Sequence, residues 1–323
     1  MKLVHVNNKT RGLSLIELLV GLAISSILAI GIISMYSSSK STFYTETDSS
    51  KIQESGRFVY SMLISDLRRT GYFGYNPGVE TILGTEGVLV NANTCPADAT
   101  WAQMIDRRVT GLDDPAVAYN CITNYLAGSG DVITLRYVDG RNEAAFDNNR
   151  YYLRSSFKSG RLFTGVDAAD ALNTINDGSP ESTGRLQAYA YYVGNSGRTC
   201  RFDNNIAIPT LYRMSLDATG TPQRQEVATG IENIQFKYGV DTSGDGSVNQ
   251  YFDASNIAND NTAAINWNKV VAVQFWVLAR AECPDAKLVS RTVNYDMGGA
   301  NPVAITSSFK RQLFTSTVAL RNN

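Results

Sequence analysis

The chain has 323 residues, 43% hydrophobic and 18% charged, with 29 basic against 30 acidic side chains for a formal charge of −1. That is enough apolar material for one large domain or two small ones. A balance so near zero gives no sign of nucleic-acid binding by bulk electrostatics.

The first predicted element is a long apolar helix. From Leu13 to Tyr36 the chain is apolar apart from small residues and one acid, Glu17, and no further charge follows until Lys40. The run is long enough to cross a bilayer, which takes roughly 20 residues. It is too long for the apolar core of a secretory signal, about 7–15 residues, and no small-residue cleavage site follows it. Lys2, Lys9 and Arg11 precede it, so the positive-inside rule keeps residues 1–12 cytoplasmic and exports everything beyond about residue 40. Four cysteines, at 95, 121, 200 and 283, in an exported domain favour disulfides over metal binding.

A plain anchor does not explain Glu17. A carboxylate in an apolar span costs about 2–4 kcal/mol on insertion scales and needs a partner. If the chain is cut after Gly12, the new amino group of Leu13 lies one helical turn from Glu17, and a second subunit's amine could lie equally near. A charge pair in low dielectric offsets the burial and sets the stagger between helices.

The residues Gly12-Leu13-Ser14-Leu15-Ile16-Glu17-Leu18, after a short basic leader, resemble the class III signal of type IV prepilins and of type II secretion pseudopilins. The resemblance implies cleavage after Gly12 by a prepilin peptidase, N-methylation of Leu13, and an assembly role for Glu17. Relatives usually have Phe where this chain has Leu13. Cleavage would remove His5, the only histidine, and three of the 29 basic residues, leaving 26 against 30 acidic, a balance of −4. A mature chain without histidine has no Ser-His-Asp or Cys-His nucleophile and no histidine metal site. No motif for Ser-Lys or paired-carboxylate catalysis stands out, so the chain is expected not to be an enzyme.

Residues 37–51 (SSSKSTFYTETDSSK) lack Pro and Gly, so the helix is expected to continue through them. Beyond, Ile52, Val59, Met62, Leu63 and Leu67 fall at helical spacing, with Gln53, Glu54, Arg57, Asp66 and Arg68 on other faces. Gly71 is the expected stop. One helix from Leu13 to Thr70 would be roughly 87 Å long, its first half apolar all round and its second half amphipathic. The expected organisation is therefore a leader over 1–12, a transmembrane or filament-core helix over 13–36, its amphipathic continuation over 37–70, and a head over 71–323.

The head reads as mainly strands. Residues 131–138, 150–155, 186–193, 210–216, 231–240, 270–280 and 314–321 are rich in β-branched and aromatic residues, with polar loops between. Tyr189, Tyr191 and Tyr192 alternate within one of these segments, which points to buried or cross-strand packing rather than a binding platform. The fold class is α+β: a long N-terminal helix followed by a β-rich, pilin-like head.

Further stretches narrow the resemblance. ESGRFVYSMLISDLRRTGYFG (54–74), GSGDVITLRYV, ATGIENIQFKYGVDTSGDG and FTSTVALRNN are similar, in this order, to landmarks of the PilW family of minor pilins, itself similar to the J-type minor pseudopilins. The resemblance implies a place near a pilus tip with other minor pilins and the major pilin, and often with a large tip adhesin of the PilC/PilY type. It implies an inner-membrane precursor with a periplasmic head that passes into the fimbrium. The alternative is a minor pseudopilin of a type II secretion system. Relatives often carry a Cys where this chain has Tyr75, so its disulfide pattern can differ.

The four cysteines allow three pairings. Cys95–Cys121 would bracket one loop insertion and Cys200–Cys283 would tie two later segments, so this pairing is favoured; free thiols are the alternative. In GVDTSGDGSVNQYFDA (239–254), Asp241, Ser243, Asp245 and Asn249 occupy positions 1, 3, 5 and 9 of a Ca²⁺-loop pattern, with Gly246 at the tight turn. Phe252 stands where the bidentate acid belongs, and Asp253 comes one residue later. The competing reading is an Asp/Gly-rich hairpin turn. Apart from this possible Ca²⁺, no cofactor is implied.

Overall fold

A computed structural model describes residues 14–75, 82–83, 105–119, 121–175, 178–218, 221–285, 288–299 and 301–322. The first element, α1 (Leu15–Arg69), runs unbroken for 55 residues. The Ser/Thr-rich stretch, free of Pro and Gly, stays helical, and its hydroxyls return to the carbonyl one turn earlier: Thr42 to Ser38 at 3.1 Å, Thr47 to Phe43 at 2.8 Å and Ser49 to Thr45 at 2.9 Å. Ser25 and Ser26, inside the apolar run, do the same to Gly21 and Leu22, each at 2.7 Å. Such bonds leave no hydroxyl unsatisfied in an apolar setting.

The chain divides into two compact units after Ser49, within α1. In the first unit the helix is long and apolar enough to cross a membrane, and that span is nowhere buried. Leu15, Ile27, Ile33 and Met35 are all at least 67% exposed.

The second unit is the head. Its eight-stranded sheet comprises β1 (Ile82–Leu83), β2 (Val109–Leu112), β3 (Val132–Val138), β4 (Tyr151–Ser155), β5 (Gly160–Thr164), β6 (Ser182–Cys200), β7 (Asp203–Leu216) and β8 (Pro222–Thr229). The order runs β1-β5-β4-β6-β3-β2, with β7 on β6 and β8 on β7. The 19-residue β6 is the backbone of this sheet: its start pairs β4, its middle pairs β3 and its end pairs β7. A short helix, α2 (Ala168–Thr174), follows β5.

A second sheet, ordered β10-β9-β11-β14, is built from β9 (Ile231–Val240), β10 (Gln250–Phe252), β11 (Val270–Arg280) and β14 (Arg311–Ala319). The hairpin of β12 (Arg291–Tyr295) and β13 (Val303–Ser307) stands apart. In β9 the inward residues Ile234, Phe236, Tyr238 and Val240 alternate, as the two-residue period requires. In β11 almost every residue is buried, so the strand is covered on both faces.

The main core joins the head part of α1 to both sheets. Ile52, Val59, Leu63 and Leu67 pack in one cluster with Ile133, Leu135 and Tyr191 of the first sheet and with Phe236, Phe275 and Val277 of the second. Burying each such side chain stabilises by about 1.5–3 kcal/mol. Met62 is only partly buried, whereas two residues that periodicity did not mark, Gly56 and Asp66, are buried. Gly56 is where helix and sheet come closest: a Cβ there would lie 2.0 Å from the Phe314 ring. α1 ends at Arg69, and Gly71 follows with φ +81°, the left-handed conformation that glycine tolerates.

The strands expected at 231–240 and 270–280 are observed with those bounds. The strand expected over 186–193 extends from 182 to 200, and that over 210–216 begins at 203. Several expected loops contain strands, notably β5, β8, β12 and β13. The Cys200–Cys283 disulfide, with Cα atoms 5.1 Å apart and a separation of 83 residues, ties the end of β6 to the segment after β11. Closing a loop of that size is worth about 4.5 kcal/mol in the chain-entropy account.

Candidate functional site

Ser14 and Glu17 cap the start of α1. The Glu17 carboxylate accepts the Ser14 N–H at 3.0 Å, and the Ser14 hydroxyl accepts the Ile16 N–H at 3.3 Å. This follows the S-x-x-E pattern of a capping box, with the hydroxyl on the second helical N–H, and it satisfies helix-start N–H groups that otherwise lack partners. Glu17 therefore also has a local task, legible in the four letters Ser-Leu-Ile-Glu and missed by a reading that looked only at burial cost. Gly12 and Leu13 lie outside the described residues.

The head anchors α1 through a buried acid. Asp66, 5% exposed, accepts a hydrogen bond from the Tyr137 hydroxyl at 3.4 Å and a short one from the Tyr191 hydroxyl. Burial raises both phenols well above their ordinary range, the nearby Asp66 charge adding to it, so they remain donors. Tyr192 is fully buried, stacks on Tyr212 with centroids 5.7 Å apart, and donates to Asn124 Oδ1 at 2.9 Å. Tyr189 is partly buried.

The segment 241–249 is a self-satisfied loop. Asp241 Oδ1 accepts from the N–H and hydroxyl of Ser243 and from the Gly244 N–H, and its Oδ2 accepts the Gly246 N–H at 2.7 Å. Asn249 Oδ1 accepts from Thr242 and Ser243, and Asp245 accepts the Ser247 N–H. Gly244 and Gly246 both have φ +80°.

A carboxylate cluster that the sequence reading did not mark comprises Asp113, Asp114 and Asp131, with ligand oxygens within 4.8 Å of one another. Asp131, 2% exposed, accepts N–H bonds from Asp114 at 3.0 Å and Phe236 at 2.7 Å. Burial outweighs those two bonds and, with the Asp113 and Asp114 charges, pushes its carboxyl up to about 8. Asp131 thus clamps β9 to the approach of β3 and fixes the left-handed Asp114, φ 35°.

Cys200 and Cys283 are bonded and almost completely buried. Cys121 is also disulfide-bonded; Cys95 lies outside the described residues.

A helix long and apolar enough to span a membrane starts at the Ser14–Glu17 cap and leads into a strand-rich head that packs its later turns. Residues 7–33 match the family described as prokaryotic N-terminal methylation motif, and residues 190–322 match that described as Type IV Pilus-assembly protein W. The last two fifths of the chain are thus similar to the pilus-assembly W family and its start to the methylation motif, and together these matches support a type IV pilin role in pilus assembly. The second match begins within β6 and takes in the whole second sheet. No curated protein and no solved structure matches the chain.

Proposed function

We propose that this pilin is a minor subunit that works in a tip or initiation complex with other minor pilins, joined to the major pilin and to a large tip adhesin. The observation that carries the reading is the apolar first half of α1, exposed on every face from Leu15 to Tyr36. Such a surface needs lipid or other helices around it.

In this reading the helix first holds the precursor in the inner membrane, with the basic residues before it inside and the head in the periplasm. A prepilin peptidase cleaves after Gly12 and Leu13 is methylated at its new amine. The Glu17 carboxylate then pairs with an N-terminal amine as the helix leaves lipid for the filament core. The protein acts by assembly rather than catalysis.

The test is a clean deletion scored for sheared surface pili and type II-dependent exoprotein release in the same cultures. Loss of pili with normal secretion supports the proposal. Normal pili with lost secretion moves the chain to the pseudopilins.

A further inference from the structure

We propose that the cavity at the C-terminal end of α1 is a docking site for a carboxylate-bearing segment of a neighbouring pilus subunit; this rests on the reading above that the chain assembles with other pilins. The cavity, of about 700 Å³, lies wholly within the head and is lined by Arg68, Arg69, Arg141 and Arg321 with a single acid, Asp139. Its size falls among ligand pockets, about 300–1,000 Å³.

The four arginines line it from three separate chain segments. Asp139 is occupied, bonded to Arg141 Nη2 at 2.9 Å. Neither Arg68 nor Arg321 has an ion-pair partner among the described residues. Basic residues in a last helical turn complement the helix dipole, which accounts for Arg68 and Arg69, and Arg141 is paired with Asp139, but neither accounts for Arg321. The helix carbonyls are already served by the Asn322 amide, which donates to Thr70 at 3.2 Å. The positive charge therefore exceeds what the head's own groups use.

The walls name the class of partner. Tyr72, 36% exposed, and Tyr189 line the cavity, and the Arg213 guanidinium sits 4.3 Å from the Tyr189 ring centroid. Tyr and Arg around a concavity are the residues that carry most energy in protein–protein contacts. A polyanion such as nucleic acid would need a long basic track on a chain of opposite bulk charge, whereas this chain carries a net −1. A short acidic segment places a carboxylate between guanidiniums, where bidentate bonding is strong.

The test places a photo-crosslinking p-benzoylphenylalanine at Tyr72 in the full chain, in cells that make pili. The expected adduct is with one other pilus subunit, through a peptide containing Asp or Glu, and it is lost in Arg68→Glu/Arg321→Glu but kept in Arg68→Lys/Arg321→Lys. No adduct, an adduct with lipid or nucleic acid, or an adduct that survives charge reversal overturns the proposal. A second measurement does not depend on assembly. Purified full-length chain in detergent is titrated with fluorescein-labelled tetraglutamate, and the double Glu variant, checked for an unchanged melting profile, is expected to bind it about tenfold more weakly. Equal binding by the variant, or equal binding of tetraglutamine to the wild-type chain, overturns it. If the charge-reversed strain makes normal pili while the deletion strain makes none, the docking site falls and the minor-pilin reading stands.

Discussion

The side chain of Asn322 holds the backbone of Thr70: its amide donates to the Thr70 carbonyl at 3.2 Å and reaches the Arg68 and Arg69 carbonyls at 3.5 Å. The Arg108 guanidinium in turn holds the Asn322 carbonyl at 2.8 Å. Carbonyls of a last helical turn have no partners within the helix, so a residue 252 positions later completes α1. Asn322→Ala should lower head stability by about 1 kcal/mol, or on the order of 2 °C in the melting midpoint. A midpoint equal to wild type would mean that water serves these carbonyls as well.

Gly56→Ala should destabilise although alanine is the better helix former by about 1 kcal/mol. The added Cβ would stand 2.0 Å from the Phe314 ring, and such overpacking costs about 1–3 kcal/mol. Adding Phe314→Ala to Gly56→Ala should make the loss smaller than the sum of the two single losses. Urea unfolding of the four proteins measures the coupling; strict additivity would argue that the helix and β14 move apart freely.

Asp131 should give the head a pH-dependent stability. Its folded carboxyl is pushed up to about 8 from an ordinary 3.8 by burial, with Asp113 and Asp114 facing it and the Asp114 and Phe236 N–H groups opposing the shift. The folded head then holds a proton that the unfolded chain releases, so stability falls as pH rises from about 4 to about 8. Asp131→Asn, which cannot ionise, should be less stable at pH 5 because one N–H loses its acceptor, yet should lose less between pH 5 and pH 8. Identical slopes in the two proteins would show that Asp131 does not carry this proton.

Glu17 has two tasks that substitutions can separate. Glu17→Gln keeps an oxygen for the Ser14 N–H, 3.0 Å away in the native cap, but removes the charge. Glu17→Ala removes both. If pairing with an N-terminal amine drives assembly, both variants should be cleaved and membrane-held yet scarce in sheared pili. Glutamine at wild-type levels, with alanine depleted, would assign the residue to capping alone.

The sequence by itself determined the elements whose cause is local or periodic. An uninterrupted apolar run makes the first half of α1 helical and homeless in water. The spacing of Ile52, Val59, Leu63 and Leu67 selects the face that enters the core, and Gly71 ends the helix because it accepts φ +81°. The alternation of Ile234, Phe236, Tyr238 and Val240 in 231–240 and the run of 270–280, apolar but for Gln274 and Arg280, are consistent with a half-covered and a fully covered strand.

Tertiary structure alone decided the rest. The β8 segment PQRQEVAT has no apolar alternation and becomes a strand because β7 offers a hydrogen-bond ladder to it. The end of β6, with Gly194 and Gly197, is held the same way by β7. Asp66 lies on a helix face that reads as solvent-facing and Asp131 opens an expected strand, and they are buried because Tyr137, Tyr191 and the Phe236 N–H reach them from distant strands. Arg68, Arg141 and Arg321 are scattered in sequence and share one cavity because α1, the turn after β3 and the end of the chain meet there. Period and composition report where apolar area must go; the partners of buried polar groups depend on contacts between segments far apart in the chain, which no local window contains.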